Sequence, residues 1–372
     1  MGRAGKPLAE HAPPAIAISA PAFSDAWPWL VLGTYSSMSL RTRVTEAFGI
    51  RHPIIQGGMQ NVGFAGLAAA VSNAGGLGMI TALTFPNPLA LRDEIARCRA
   101  LTGNPFAVNI SVFPTMRPPD YGAIVETIAD SGVDIVETAG TPEVREVWDL
   151  LFARGVRVIH KCTSVRHALS SERYGVHAIS IDGFECAGHP GEDDVPGLVL
   201  IPVAVDKLTV PVIASGGFAD GRGLAAALAL GAEGITLGTR LCATIEAPIH
   251  DRLKSAYVQN DERATDVILR PFNNSARVGR NSVSQEVLRR TAGANPAFAD
   301  VAELVSGARG KAVLETGDID LGIYWASMAQ GLIHDVPSCE ALLERIVADA
   351  EKVISSRLTA MLKHDCASRD KP

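Results

Sequence analysis

The feature that most constrains this chain is a unit that recurs from residue 50 onward. A short β-rich apolar run leads into a Gly-, Pro- or polar-rich turn, and then into a stretch with apolar residues at helical spacing. The runs are Pro53-Ile54-Ile55-Gln56, Gly78-Met79-Ile80-Thr81, Phe106-Ala107-Val108-Asn109-Ile110, Ile135-Val136-Glu137-Thr138, Val156-Arg157-Val158-Ile159-His160, Ala178-Ile179-Ser180-Ile181, Val210-Pro211-Val212-Ile213-Ala214 and Gly234-Ile235-Thr236-Leu237. Continuous apolar strands alternating with helices make a parallel sheet buried on both faces, because the crossover helices lie against it. Eight successive units match an α/β fold of the TIM (β/α)8 barrel type, with a doubly wound open sheet as the alternative. Helices are expected at 64–73, 88–101, 121–131, 142–153, 165–174 and 223–230, each with its apolar residues on one side.

After the eighth run the pattern changes. From 240 to about 335 the chain reads as helical and polar, without another βα unit, and 341–363 reads as one long amphipathic helix. The expected organisation is a barrel over 38–240, an inserted helical subdomain over 241–335 and a C-terminal helix within 336–372 that closes the barrel. Residues 1–37 mix Pro and Ala (Ala12-Pro13-Pro14-Ala15) with one brief apolar patch, Ala26-Trp27-Pro28-Trp29-Leu30-Val31-Leu32. Pro28 breaks the patch and no A-x-A site follows it, so a disordered extension is expected rather than a signal peptide, with Met38 as the true start.

Composition narrows the function classes. With 40 acidic against 34 basic residues, a net charge of -6 and 47% hydrophobic residues, the 372-residue chain is neither disordered nor a nucleic-acid binder. No apolar run approaches the roughly 18 to 20 residues that span a bilayer. The six cysteines form no C-x-x-C pair and no His stands at zinc-like spacing, which argues against a disulfide framework and a metal site and fits a reducing cytoplasm.

In a barrel the reacting groups sit on loops after the carboxyl ends of the strands. After run one, Gly57 and Gly58 allow backbone to approach a flat ligand whose edge Met59 and Gln60 can line; a plain tight turn is the bland reading. After runs seven and eight come Ser215-Gly216-Gly217 and Gly238-Thr239-Arg240, the loops that recurrently hold phosphate. Neither G-x-x-x-x-G-K-[ST] nor a strand-linked G-x-G-x-x-G is present, which leaves a mononucleotide such as FMN or a phosphorylated substrate. Lys161, at the end of run five, is poorly explained as a surface charge. It suits stabilisation of the negative charge a reduced flavin accumulates, or else a Schiff base. His189, between Gly188 and Pro190 after run six, is the candidate proton donor or acceptor. Cys186 has no cationic partner in sequence and carries little weight as a nucleophile. The acids Glu192, Asp193 and Asp194 read as solvating or capping a following helix.

Together, the runs His52-Pro53-Ile54-Ile55-Gln56-Gly57-Gly58-Met59, Gly75-Gly76-Leu77-Gly78, His160-Lys161, Gly188-His189-Pro190-Gly191, Ile213-Ala214-Ser215-Gly216-Gly217 and Leu237-Gly238-Thr239-Arg240 resemble the nitronate monooxygenase family, also called 2-nitropropane dioxygenases, over about 41–365. The resemblance implies an FMN-containing barrel with an inserted helical domain. It places flavin against Gly57, Gly58, Met59 and Gln60, with Ser111 and Lys161 near the ring, Ala187 and Gly188 in the strand-six loop, and phosphate at Ser215, Gly216, Gly217, Gly238 and Thr239.

The strand-six string 180–194 and the loop Phe113-Pro114-Thr115-Met116-Arg117-Pro118-Pro119 look most like the family's NADH:quinone reductase branch. Glu185-Cys186-Ala187-Gly188-His189 stands where nitronate monooxygenases usually show Glu-Ala-Gly-Gly-His. The resemblance therefore implies a cytoplasmic enzyme that passes two electrons from NADH or NADPH through FMN to a quinone, with a homodimer allowed. The alternatives are oxidation of alkyl nitronates with oxygen and a flavin-free Schiff-base lyase.

Overall fold

The computed structural model describes residues 40–112, 119–141 and 143–362. The expectations for 1–37, for Met38 and for Phe113 to Pro118 in the strand-three loop lie outside these residues. All eight expected strands are present as β1 (Ile54–Gln56), β2 (Gly78–Thr81), β3 (Phe106–Val112), β4 (Ile135–Gly140), β5 (Arg157–Cys162), β6 (Ala178–Asp182), β7 (Val212–Ser215) and β8 (Ile235–Leu237). They pair in parallel in the order β1-β8-β7-β6-β5-β4-β3-β2, and an Ile55–Leu77 bridge brings β1 back to β2. The result is a nearly closed TIM (β/α)8 barrel.

The ring of helices follows from local signals. Beneath the barrel lies α1 (Arg43–Phe48), capped by Thr42. The crossovers are α2 (Ala65–Asn73), α3 (Pro88–Leu101), α4 (Tyr121–Asp130), α5 (Val144–Ala153), α6 (Val165–Tyr174), α7 (Gly197–Val205) and α8 (Gly221–Ala229). Asn87 accepts from Ala90 N–H with Pro88 at the first turn of α3, and Ser164 caps α6, which ends on left-handed Gly175. Sequence periodicity does not reveal α1 or α7. The first is under two turns long, and the second is apolar nearly all round with Pro202 inside it, so neither has an amphipathic stripe.

Between β8 and the last helix come α9 (Thr239–Cys242), α10 (Asp251–Gln259), the strands β9 (Thr265–Ile268) and β10 (Ala276–Gly279), α11 (Ser282–Arg290) and α12 (Gly307–Thr316). The segment expected to be helical thus also holds an antiparallel ribbon, with Ala276 opposite Ile268 and Gly279 opposite Thr265. Its strands are only four residues each and carry Asp266 and Arg277 among apolar residues, too short a run to show a period of two without the pairing partner. Ile268, Val278, Val283, Val287, Val301 and Ile323 form a small core of their own there. The chain then returns as α13 (Cys339–Lys352), continued by a π-helical turn and ending at Met361. Packed against α8 and α2, α13 completes the helical ring. A Cβ on Gly221 would lie 2.5 Å from Ile346 O, so only glycine lets the two helices approach this closely.

The barrel interior is layered. Ile55, Met79, Ala107, Ile135, Ile159, Ala178 and Ile213 fill its lower part and meet Val44 and Phe48 of α1. Two residues further along each strand, the inward positions turn polar: Thr81, Asn109, Glu137, Lys161, Ser180, Ser215 and Thr236. That switch, at the carboxyl ends of the strands, sets out the site.

Candidate active site

Period-two alternation carries the polar layer into the mouth, so the apolar neighbours of each charge face the helices instead. Glu137 on β4 is fully buried and Asp182 on β6 nearly so, and Lys161 stands between them on β5. Its ammonium is 3.9 Å from Glu137 Oε2 and 3.7 Å from Asp182 Oδ1, with about one-fifth of the side chain open to the mouth. Burial works to lower the Lys161 pKa, but the carboxylates of Asp182 and Glu137 outweigh it and hold the amine above its ordinary value. Burial pushes the Glu137 carboxyl up, against the pull of Lys161.

Loop one crosses above this cluster. Gly58 N–H donates to Glu137 Oε1 at 3.2 Å, Asn109 Nδ2 donates to the same oxygen at 2.9 Å, and Met59 N–H donates to Thr81 Oγ1 at 2.9 Å. A Cβ on Gly58 would overlap the Asn109 amide, so the protein's own packing requires this glycine. Gly57 faces Thr236 and Lys161. Met59 is half-buried against the Cys242 thiol, and Gln60 is exposed. Ser111, inward on β3, donates to Asn109 Oδ1 at 3.5 Å.

Loops seven and eight meet beside it. Gly216 and Gly217 have φ of 89° and 83°, in the left-handed region that favours glycine. Among the described residues, the backbone N–H groups of Gly216, Gly217, Gly238 and Thr239 find no acceptor in the protein. These adjacent unspent donors form a cradle suited to a phosphate. The donors belong to the loops themselves, since the amino end of α8 is already capped by Asp220. Ser215 and Thr239 are buried, and Thr239 Oγ1 accepts from Ser327 N–H at 3.0 Å.

The strand-six loop forms the lip. Gly188 and Arg277 of β10 exchange backbone hydrogen bonds, at 3.1 and 2.6 Å, so the Gly188 amide is already spent. Ala187 is half-buried beside it. His189 is exposed at the lip, its ring 5.6 Å from that of Trp325. The surrounding protein disfavours the charged imidazole more than the Glu192 carboxylate favours it, so the His189 pKa lies below its ordinary value. Cys186 is buried with its pKa raised, which is the state of an inert thiol.

The acids are exposed, as the solvating reading has it, and none of them caps the following helix. Glu192 accepts from Ser275 N–H at 2.8 Å and Asp194 pairs with Arg270 at 2.9 Å, while Glu185 supplies the contact to Gly197 N–H at the start of α7. They fasten the lip to the insertion because the ribbon, and not a helix terminus, lies against them.

The candidate residues of β1, β3, β5, β7 and β8 and of the strand-six loop therefore lie at one end of the barrel. Sequence reasoning did not single out Glu137, Asp182, Asn109 or Trp325. An acid inside the apolar run Ile135-Val136-Glu137-Thr138 was the available signal for the first. Among the described residues, no group of three His, Cys, Asp or Glu side chains could hold a metal, and no helix is long and apolar enough to cross a membrane.

A sequence profile described as nitronate monooxygenase matches residues 41–349. The chain belongs to the nitronate monooxygenase family, whose membership implies a flavin-dependent oxidoreductase. It is 31% identical to the (3aS,4S,5R,7aS)-5-hydroxy-7a-methyl-1-oxo-octahydro-1H-indene-4-carboxyl-CoA dehydrogenase of Rhodococcus jostii, over 86% of this chain and 98% of that one. It is 30% identical to a probable nitronate monooxygenase of Staphylococcus aureus, over 84% and 98%. Among solved structures, FabK from Thermotoga maritima superposes with a TM-score of 0.80 at 32% identity, covering 87% of this chain and all of that one.

Proposed function

We propose that this protein is an FMN-dependent NAD(P)H:quinone reductase working by alternate use of one pocket. The observation that carries this reading is the lip: an exposed indole beside a neutral imidazole, with a carboxylate, Glu192, as the charge acting on that imidazole. A flat uncharged ring such as a quinone or a nicotinamide suits those surroundings, and the Glu192 carboxylate disfavours an anion such as a nitronate beside it.

When bound, FMN supplies the two-electron chemistry, taking hydride from a nicotinamide and passing both electrons to a quinone. The unspent N–H groups of Gly216, Gly217, Gly238 and Thr239, with Ser215, would hold its phosphate. Gly57, Gly58, Met59, Gln60, Ser111, Ala187 and Gly188 would line its ring. Lys161 keeps a positive charge at the mouth, which would stabilise negative charge accumulating on the reduced ring where a neutral side chain would not. A lysine held this firmly protonated is the opposite of the free amine that Schiff-base chemistry needs. His189, neutral near pH 7, donates a hydrogen bond to the quinone oxygen or takes a proton from a hydroxyl.

A second reading has its own support, because the Rhodococcus jostii relative is named as a dehydrogenase of a hydroxylated bicyclic carboxyl-CoA. The same neutral His189 would then remove the hydroxyl proton. One anaerobic stopped-flow comparison separates the readings. Bleaching of the yellow protein by NADH or NADPH, and recolouring by benzoquinone, is the expected result. Bleaching by propionate 3-nitronate alone points to nitronate oxidation, and bleaching by a cyclic hydroxyacyl-CoA alone points to the dehydrogenase. A colourless preparation trapped by borohydride would end the flavin reading.

A further inference from the structure

Glu137 divides its two oxygens between different parts of the site. Oε1 accepts from Gly58 N–H and from Asn109 Nδ2, and is thereby committed to loop one. Oε2 has no hydrogen-bond partner among the described residues and faces Lys161 Nζ at 3.9 Å. On the other side of the lysine, Asp182 of β6 repeats half of the pattern: its Oδ1, likewise buried and without a hydrogen-bond partner among the described residues, faces the same ammonium at 3.7 Å. Two orphaned carboxylate oxygens thus converge on one lysine from the strands either side of it. A carboxylate oxygen buried without a hydrogen bond is expensive, so a fold keeps two of them here only if the charge they surround matters.

We propose that Glu137 is a positioning residue of the site, tying loop one to β4 through Gly58 and, jointly with Asp182, holding the Lys161 ammonium protonated at the centre of the mouth. The assignment rests on the flavin reading above, because it says what the lysine charge serves. An isolated lysine inside the barrel would tend to lose its proton, since burial penalises the charged form. Facing carboxylates on both neighbouring strands reverse that tendency. The other titratable group acting on Lys161 is the Cys186 thiol of the strand-six loop, which is buried with its pKa raised and has Arg277 acting on it from the insertion. Asn109 fixes the orientation, because its amide and the Gly58 N–H both take Oε1 and so turn Oε2 toward the lysine.

The test uses the full-length protein freed of flavin, with Glu137→Gln, Asp182→Asn and Glu137→Ala. The Gln variant can still offer an oxygen to Gly58 and Asn109 but turns an amide N–H2 toward the ammonium. It should therefore keep loop one in place and weaken only the lysine. Lys161 titration, followed by 15N NMR of the labelled lysine, should move to lower pH by about one unit or more in both amide variants, a tenfold change in proton affinity. The alkaline limb of FMN binding, read by flavin fluorescence, should move with it. Glu137→Ala should in addition weaken FMN binding at every pH. An unchanged Lys161 titration in both amide variants, or identical behaviour of the Gln and Ala variants in both readouts, would overturn the proposal. If the lysine titration moves as expected while wild-type protein takes up no FMN, the positioning role stands and the flavin reading falls.

Discussion

His160 precedes Lys161 on β5 and faces away from it, out of the barrel and toward the helices. Its Nδ1 lies 2.9 Å from Thr138 Oγ1, and Trp148 Nε1 donates to the same hydroxyl, so the hydroxyl proton is left for a neutral imidazole. Burial lowers the His160 pKa from 6.5 to about 4. A folded-state pKa below the unfolded value means stability that is present above pH 6.5 and lost as pH falls through 4. A displacement of that size corresponds to roughly 3 kcal/mol. His52, lowered to about 4 by burial and by Arg51, acts in the same window. His160→Gln should therefore flatten the loss of stability between pH 7 and pH 4 without abolishing it, as measured by urea unfolding. An unaltered slope would remove His160 from the account.

At the same scale Lys161 is legible in the sequence, since a cation ending an apolar run needs a reason. Glu137 is not, because a single acid within a run does not reveal which face of the strand it occupies until the register is known.

Strand pairing is strong around most of the barrel and thin at one seam. β1 reaches β2 through the bridge between Ile55 and Leu77, and there the side chain of Gln56 stands in for missing ladder bonds. Its Nε2 donates to Met79 O at 2.9 Å and its Oε1 accepts from Met79 N–H at 3.2 Å, all of it fully buried. Gln56→Met should remove both bonds and leave a buried peptide group without partners, costing about 2 to 4 kcal/mol. Chemical denaturation would show the loss, and amide exchange should accelerate first at Met79. Protection at Met79 equal to that of the wild type would mean that water or a neighbour replaces the side chain.

Elements with strong local signals, such as α3 with Asn87 and Pro88 at its start, are readable from sequence. The seam is not, because which way the Gln56 side chain faces, and what it meets on β2, is fixed only by the register of the two strands.

For the molecule as a whole, the insertion is the part that turns a barrel into this particular site. Arg277 is its principal fastening: buried, it donates to Phe184 O at 3.0 Å and to Thr265 Oγ1 at 2.9 Å, and its guanidinium lies 4.4 Å over the Phe184 ring. Arg277→Ala should destabilise the protein by about 2 to 4 kcal/mol and loosen the lip that carries His189. Hydrogen exchange should then rise through 184–189 and through the ribbon together while the barrel strands stay protected. A rise confined to the ribbon would show that the lip holds its place unaided.

The recurring apolar runs by themselves determined the barrel and the end at which chemistry sits, because period-two and helical spacing are local properties that survive without any knowledge of neighbours. They also placed Lys161, His189 and the glycine-rich loops at that end. Only the tertiary structure decided that Glu137 and Asp182 converge on the lysine, that Trp325 stands beside His189, and that an antiparallel ribbon holds the lip. Those depend on register and on contacts between residues far apart in the chain, which no spacing along a single sequence encodes.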